Sequence, residues 1–266
     1  MGDAALHRLS ERFGLAGKTA IVTGGTKGIG HAVVEELCVL GCTVLTCARN
    51  KEDLDKCIDE WRAKGYQVLG MAVDCSDSAG RQLLLQGAST AFGDTGLDIL
   101  VNNVGTNIRK PTVDYTEDEV GKVMSTNLDS AFFVSQMCHK LLRQAKGSVV
   151  FVSSVAGGPL AMKSGTPYAM SKAAMNQLTR NLAVEWAGDG VRVNCVAPWY
   201  TATPLAMQVL QNEQYKDAVL SRTPMGRIAT PEEVASCVAF LCGKGAGFVT
   251  GQVLSIDGGY SCMGFF

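Results

Sequence analysis

The sequence is short of charge: 18% of its 266 residues are charged, and the formal net charge is -1. It offers no basic footprint for nucleic acid or for an anionic membrane surface. Histidine is scarce too. His7, His31 and His139 are scattered and make a poor metal set. None of the ten cysteines forms a CxxC pair. Cys38 and Cys42 are spaced to share a helix face, yet no further ligand has metal-binding spacing around them. Buried, reduced thiols are therefore expected, and no metal. No run of about 18 uncharged apolar residues exists, so no membrane-spanning helix is expected. The opening segment lacks the apolar stretch of a signal peptide, and Leu6 breaks a myristoylation pattern. Repeats, low-complexity tracts and linkers are missing as well. These absences point to one cytoplasmic domain over 1–266.

What is present is alternation. Apolar strand-like runs begin at Thr19, Thr43, Gln67, Ile99, Ser148, Val191 and Gln252, with amphipathic helical runs between them. Hydrophobic residues make up 47%, enough for a packed core. The expected fold is a single-domain α/β Rossmann fold: a doubly wound, seven-stranded parallel sheet with helices on both faces. Thr116 to Glu119 reads as a capping box. Thr166-Pro167 reads as a cap residue before a first-turn proline. Residues 1–14 are expected to be an extension. About 202–227 breaks the alternation and is expected to be an insertion covering the site.

Thr23-Gly24-Gly25-Thr26-Lys27-Gly28-Ile29-Gly30 follows the first strand and opens a helix expected over His31–Leu40. Glycines let backbone N–H groups approach a pyrophosphate, and the helix N-terminus adds favourable potential. The spacing is GxxxGxG. About 20 residues on, where an NAD-selecting protein places an acid, stands Arg49. A guanidinium suits a 2′-phosphate, and Lys27 adds a second cation. Together they favour NADP(H), with the acids Glu52 and Asp53 as the counter-argument.

Tyr168 and Lys172 are four apart, on one helix face. A phenol titrates near about 10 when unperturbed. A nearby ammonium and an oxidised nicotinamide are expected to lower it into the range of a general acid or base. Ser153-Ser154 ends the fifth strand, where a hydroxyl could hold the substrate oxygen beside Tyr168. From Leu15 to Gly259 the ordered motifs resemble a short-chain dehydrogenase/reductase: TGGTKGIG at 23–30, Asp74, Asn102-Asn103-Val104-Gly105, Asn127, Ser154, Tyr168, Lys172 and Pro198. Within that family the chain is most similar to plant tropinone reductase-like enzymes of secondary metabolism, through TCARN, TNL, NQLTRNLAVEWA and TGQVLSIDGG.

The resemblance implies that Tyr168 protonates a carbonyl, that Lys172 binds the nicotinamide ribose, that Ser154 orients the substrate and that Asn127 holds a relay water. It implies Asp74 at the adenine amino group, Asn103 to Gly105 at the adenine ribose and Thr203 at the carboxamide. The cofactor set expected is Thr23, Gly24, Thr26, Lys27, Gly28, Ile29, Gly30, Arg49, Asn50, Asp74, Cys75, Asn103, Val104, Gly105, Tyr168, Lys172, Pro198, Thr201 and Thr203. Ser154, Val155, Tyr168, Trp199 and Leu205 are expected at the substrate, within a lining drawn also from Leu160, Tyr200, Met207 and Leu210. A homodimer or homotetramer is implied.

The sequence departs from the family pattern in three places. Val104 replaces an alanine. The Ser154 to Tyr168 interval holds one extra residue, and Ser153 stays possible as the orienting hydroxyl. Trp199 follows Pro198 in place of glycine and could narrow the pocket or stack on a flat substrate. Three functions are open: NADPH-dependent reduction of a cyclic or aromatic-flanked ketone to an alcohol, or its reverse; reduction of a 3-oxoacyl thioester on an acidic carrier, for which Arg109 and Lys110 would be the cations; and a non-catalytic NADP-binding scaffold.

Overall fold

The computed structural model describes residues 9–264. Residues 1–8, most of the expected extension, lie outside it. Seven strands, β1 (Thr19–Thr23), β2 (Thr43–Ala48), β3 (Val68–Ala72), β4 (Ile99–Asn102), β5 (Ser148–Val152), β6 (Arg192–Pro198) and β7 (Val253–Ile256), form one sheet. Its order is β3-β2-β1-β4-β5-β6-β7, and every pairing is parallel. Side chains of successive residues point to opposite faces of such a sheet. Ala20 and Val22 of β1 join one core and Ile21 the other; Val150 and Val152 of β5 divide likewise from Val149 and Phe151. Burial on both faces is why these strands read as unbroken apolar runs.

One face is covered by α1 (Gly28–Val39), α2 (Lys51–Ala63) and α9 (Pro231–Cys242), through Val33, Leu37, Trp61, Val234 and Val238. The other is covered by α3 (Ser78–Phe92), α5 (Ser130–Ala145) and α6 (Thr166–Glu185), through Leu84, Phe92, Leu142 and Met175. The chain reverses its winding between β1 and β4, so the crevice at their carboxyl ends is the place where such sheets receive ligands.

Some local expectations are corrected. The α6 cap is Gly165 at φ 82°, with no side-chain cap, and Thr166 is already helical. Its hydroxyl bonds Thr112 at 2.7 Å instead. Cys42 lies past the end of α1 and shares no helix face with Cys38, because Gly41 at φ 95° turns the chain between them. Residues 202–227 place two helices with no strand between them, α7 (Pro204–Leu210) and α8 (Glu213–Leu220), capped by Thr203 and Asn212. The capping box at Thr116 is present on α4 (Glu117–Met124), and Glu233 reaches back to the Thr230 N–H in the same way on α9.

Candidate active site

The glycine turn is held against the end of β4. The Thr23 hydroxyl accepts from the Asn103 and Val104 N–H groups at 3.0 and 3.2 Å. Asn103 Nδ2 donates to the carbonyls of Thr23 and Gly24 at 2.9 and 3.0 Å. Glycine is required at two points. Gly28 has φ 57°, and a Cβ there would meet Thr203 Cγ2 at 2.9 Å. A Cβ on Gly30 would meet the Gly24 carbonyl oxygen at 2.2 Å. Helix α1 then begins with no side-chain cap, so its first N–H groups face the crevice. A bare glycine cradle at a helix N-terminus fits a dinucleotide's pyrophosphate.

A single cleft of about 660 Å³ runs from this turn over the carboxyl ends of the strands. It is lined by Gly24, Thr26, Lys27, Gly28 and Ile29 from the turn and by Arg49, Asp74 and Cys75 at one end. Asn103, Val104, Gly105, Pro198, Thr201 and Thr203 line its middle, and Ser154, Tyr168, Lys172, Trp199 and Leu205 its other end. Five expected contacts are not in it. Thr23 and Gly30 lie behind the turn and hold its shape. Asn50 caps α2 by accepting from Asp53 N–H at 2.9 Å. Val155 is 4% exposed and belongs to the core. Asn127 is fully buried. Leu160 also misses the lining, as do Met207 and Leu210, because the side of α7 facing the cleft carries Leu205, Ala206 and Gln208.

At the turn end, Asp53 reaches Lys27 at 2.6 Å, which holds its carboxyl below the usual carboxylate range. The acid that argued for NAD is thus engaged with the lysine of the turn. Arg49 is exposed and only loosely paired, 4.0 Å from Asp74. Beneath them, the thiols of Cys47 and Cys75 lie 3.5 Å apart. All ten cysteines are free, and no metal-binding cluster occurs among the described residues.

At the other end, α6 presents Tyr168 and Lys172 toward β5. Lys172 is 3% exposed and donates to the Val152 carbonyl at 2.7 Å. Burial lowers it to about 8. The two serines are now distinguished. Ser153 points away, donating to the Lys172 carbonyl at 3.1 Å, whereas Ser154 faces the Tyr168 phenol and lowers it by hydrogen bonding. Against expectation, the protein's own groups push Tyr168 up: desolvation outweighs Ser154 and the nearby Arg109 guanidinium. Lys172 is itself driven toward neutrality, which weakens the ammonium that was expected to do the lowering.

Asn127 sits in a π-helical turn, Ser125–Asp129, between α4 and α5. Its Oδ1 accepts from Thr106 N–H at 2.7 Å, and its Nδ2 donates to the Thr106 carbonyl and the Ser171 hydroxyl, both at 3.0 Å. Both amide hydrogens are engaged with protein, so this side chain fixes the loop after β4 against α6. Trp199 stacks on Tyr260 with ring centroids 3.8 Å apart and planes 7° apart, and its N–H donates to Thr223. That indole face is closed to a substrate. Residues missed from the sequence include Thr106, Asn107, Met162, Lys163, Gln208 and Tyr215. Only Thr106 and Asn107 had a signal, following directly on the Asn-Asn-Val-Gly motif.

A family model described as enoyl-(acyl carrier protein) reductase matches residues 24–261. A tropinone reductase homolog of Arabidopsis thaliana is 54% identical over 256 residues, covering 96% of each chain. A second, chloroplastic Arabidopsis homolog is 50% identical and is matched over 79% of its length. Among solved structures, a gluconate 5-dehydrogenase from Burkholderia cenocepacia in complex with NADP and tartrate superposes with a TM-score of 0.91 at 29% identity, covering 96% of this chain and all of that one. A 7α-hydroxysteroid dehydrogenase complexed with NADH gives 0.88 at 30%, covering 94% and 96%. The chain belongs to the short-chain dehydrogenase/reductase family of oxidoreductases, and over nearly its whole length it is similar to tropinone reductase homologs.

Proposed function

We propose that this protein reduces a ketone to a secondary alcohol with NADPH, or runs the reverse reaction. The observation that carries the reading is the Tyr168 phenol at the cleft wall, facing Ser154, with Lys172 one helical turn on. The uncapped glycine cradle and the loosely paired Arg49 support NADP(H), whose nicotinamide would supply the hydride. Ser154 holds the carbonyl oxygen. Tyr168, kept protonated by burial, gives that oxygen its proton as general acid. Lys172 anchors the ribose, and Asn127 positions the loop that closes the middle of the cleft. The segment 202–227 acts as the substrate cover through Leu205, Gln208 and Tyr215.

A carrier-bound 3-oxoacyl thioester is less well supported. Of the two cations it would use, Lys110 is held by Glu119, and Arg109 lines the cleft itself. A scaffold has no use for a desolvated lysine and phenol together. Ten free thiols suit a reducing compartment, and cytoplasmic residence follows from that reading. We further propose a homo-oligomer joined through exposed apolar side chains, Phe132 on α5 and Val184 on α6.

Tyr168→Phe should cut turnover by about two to four orders of magnitude, the range of a positioned proton donor. NADPH affinity, read by fluorescence titration, should stay close to wild type. Substantial residual turnover would remove Tyr168 from its role.

A further inference from the structure

The substrate end of the cleft holds a guanidinium with no acid opposite. Arg109 is half-buried and lines the cleft, near enough to Tyr168 and Tyr200 to favour their ionised forms. Among the described residues no carboxylate lies within ion-pair distance of it. Its neighbour Lys110 pairs with Glu119, and the turn-end cations Lys27 and Arg49 each have an aspartate. Asp74, the one acid in the cleft lining, stands at that opposite end beside Arg49. Lys163, on the segment between β5 and α6, adds a second positive charge at the substrate end, also without an ion-pair partner among the described residues.

A guanidinium partly removed from water is costly to leave unpaired, and its planar fork matches a carboxylate. We propose that the natural substrate is a ketone bearing a carboxylate, which Arg109 pairs while the carbonyl meets Ser154 and Tyr168. This rests on the ketone-reductase reading and narrows it. The charge also serves the chemistry. A bound carboxylate cancels the pull of Arg109 on Tyr168, so the phenol keeps the proton it must donate. A ketone carrying a protonated tertiary amine, such as tropinone, meets the wrong sign of charge here.

The test uses the full chain with NADPH and three matched ketones: 4-oxocyclohexanecarboxylate, its methyl ester, and 4-(dimethylamino)cyclohexanone. A hydrogen bond to a charged group corresponds to about tenfold or more, so kcat/KM should favour the carboxylate over the ester by at least about tenfold. The amine should be the poorest of the three. In Arg109→Gln the carboxylate-to-ester ratio, taken within the variant so that general losses cancel, should fall to near one. Arg109→Lys should keep part of it. The pH limb assigned to Tyr168 should lie higher with the carboxylate than with the ester in wild type, and this gap should close in Arg109→Gln. Equal kcat/KM for acid and ester in wild type, or an unchanged ratio in Arg109→Gln, would overturn the assignment and leave the reductase reading standing. If no ketone is reduced, the reductase reading itself is in question. Calorimetric binding of cyclohexanecarboxylate with NADP+ present then decides the anion site: binding that depends on Arg109 supports it, and absent or Arg109-independent binding overturns it.

Discussion

Desolvation acts on Tyr168 and Lys172 in opposite directions. It favours the neutral form of each, raising the phenol and lowering the amine to about 8. The lysine therefore leaves a signature in stability. Its folded pKa lies below its ordinary value of 10.5, so between about 8 and 10.5 the unfolded chain binds more protons than the folded one. Stability must then rise with pH across that window, by about 1 kcal/mol per unit at most. Urea unfolding of the cofactor-free protein at pH 7.5 and pH 9 should show wild type gaining stability relative to Lys172→Met. A constant difference between the two proteins would mean that Lys172 is not desolvated. Ser153 and Ser154 make a related point. They are adjacent, yet strand alternation sends one hydroxyl to the α6 backbone and the other to the phenol.

The strand–turn–helix unit β1–α1 works by close backbone approach. Gly30→Ala would drive a methyl into the Gly24 carbonyl oxygen and the Asn103 amide, with contacts of 2.2 and 2.4 Å. Overpacking of this kind costs about 1–3 kcal/mol, and the turn must open to relieve it. The variant should unfold at lower urea and lose NADPH binding together. Unchanged binding in the titration would show that the cradle tolerates the shift. The β2–α2 junction sets cofactor choice. Lys27 is engaged by Asp53, which leaves Arg49 as the looser cation. Arg49→Asp should therefore move the kcat/KM preference from NADPH toward NADH, and an unchanged preference would place the 2′-phosphate elsewhere. The junction was readable from the sequence because its parts are neighbours in the chain. The start of α6 was misplaced by one residue because Gly165, at φ 82°, takes the cap position, and the Thr166 hydroxyl meets Thr112, a partner that only the packed loop supplies.

For the whole molecule, the central strands are covered on both faces while the edge strands β3 and β7 stay partly exposed, and no helix among the described residues is long and apolar enough to cross a membrane. The large apolar side chains left outside are therefore candidates for contact between copies. Phe132 is 40% and Val184 82% exposed, on helices that pack the same sheet face. Sedimentation should show an assembly larger than a monomer, and Phe132→Glu with Val184→Glu should reduce its mass. A wild-type protein that sediments as a monomer at micromolar concentration would dispose of this contact.

The sheet, its seven strands, the glycine cradle and the Tyr168–Lys172 pair were all legible in the chain, because each is set by periodicity or by residues within a turn of one another. The cleft's substrate end was legible only in part. Trp199 was legible as a cleft residue, but that Tyr260, distant in sequence, covers one of its faces was not. Asn127 was legible as a site residue, but its side-chain partners Thr106 and Ser171 come from distant segments. Arg109 was legible as a cation near the entrance, but that it lines the cleft with no acid in ion-pair distance among the described residues depends on how the loop after β4 packs. Local backbone preference and hydrophobic alternation are written residue by residue. The partner of a buried polar group is decided by which distant segment arrives beside it, and that only the tertiary structure determines.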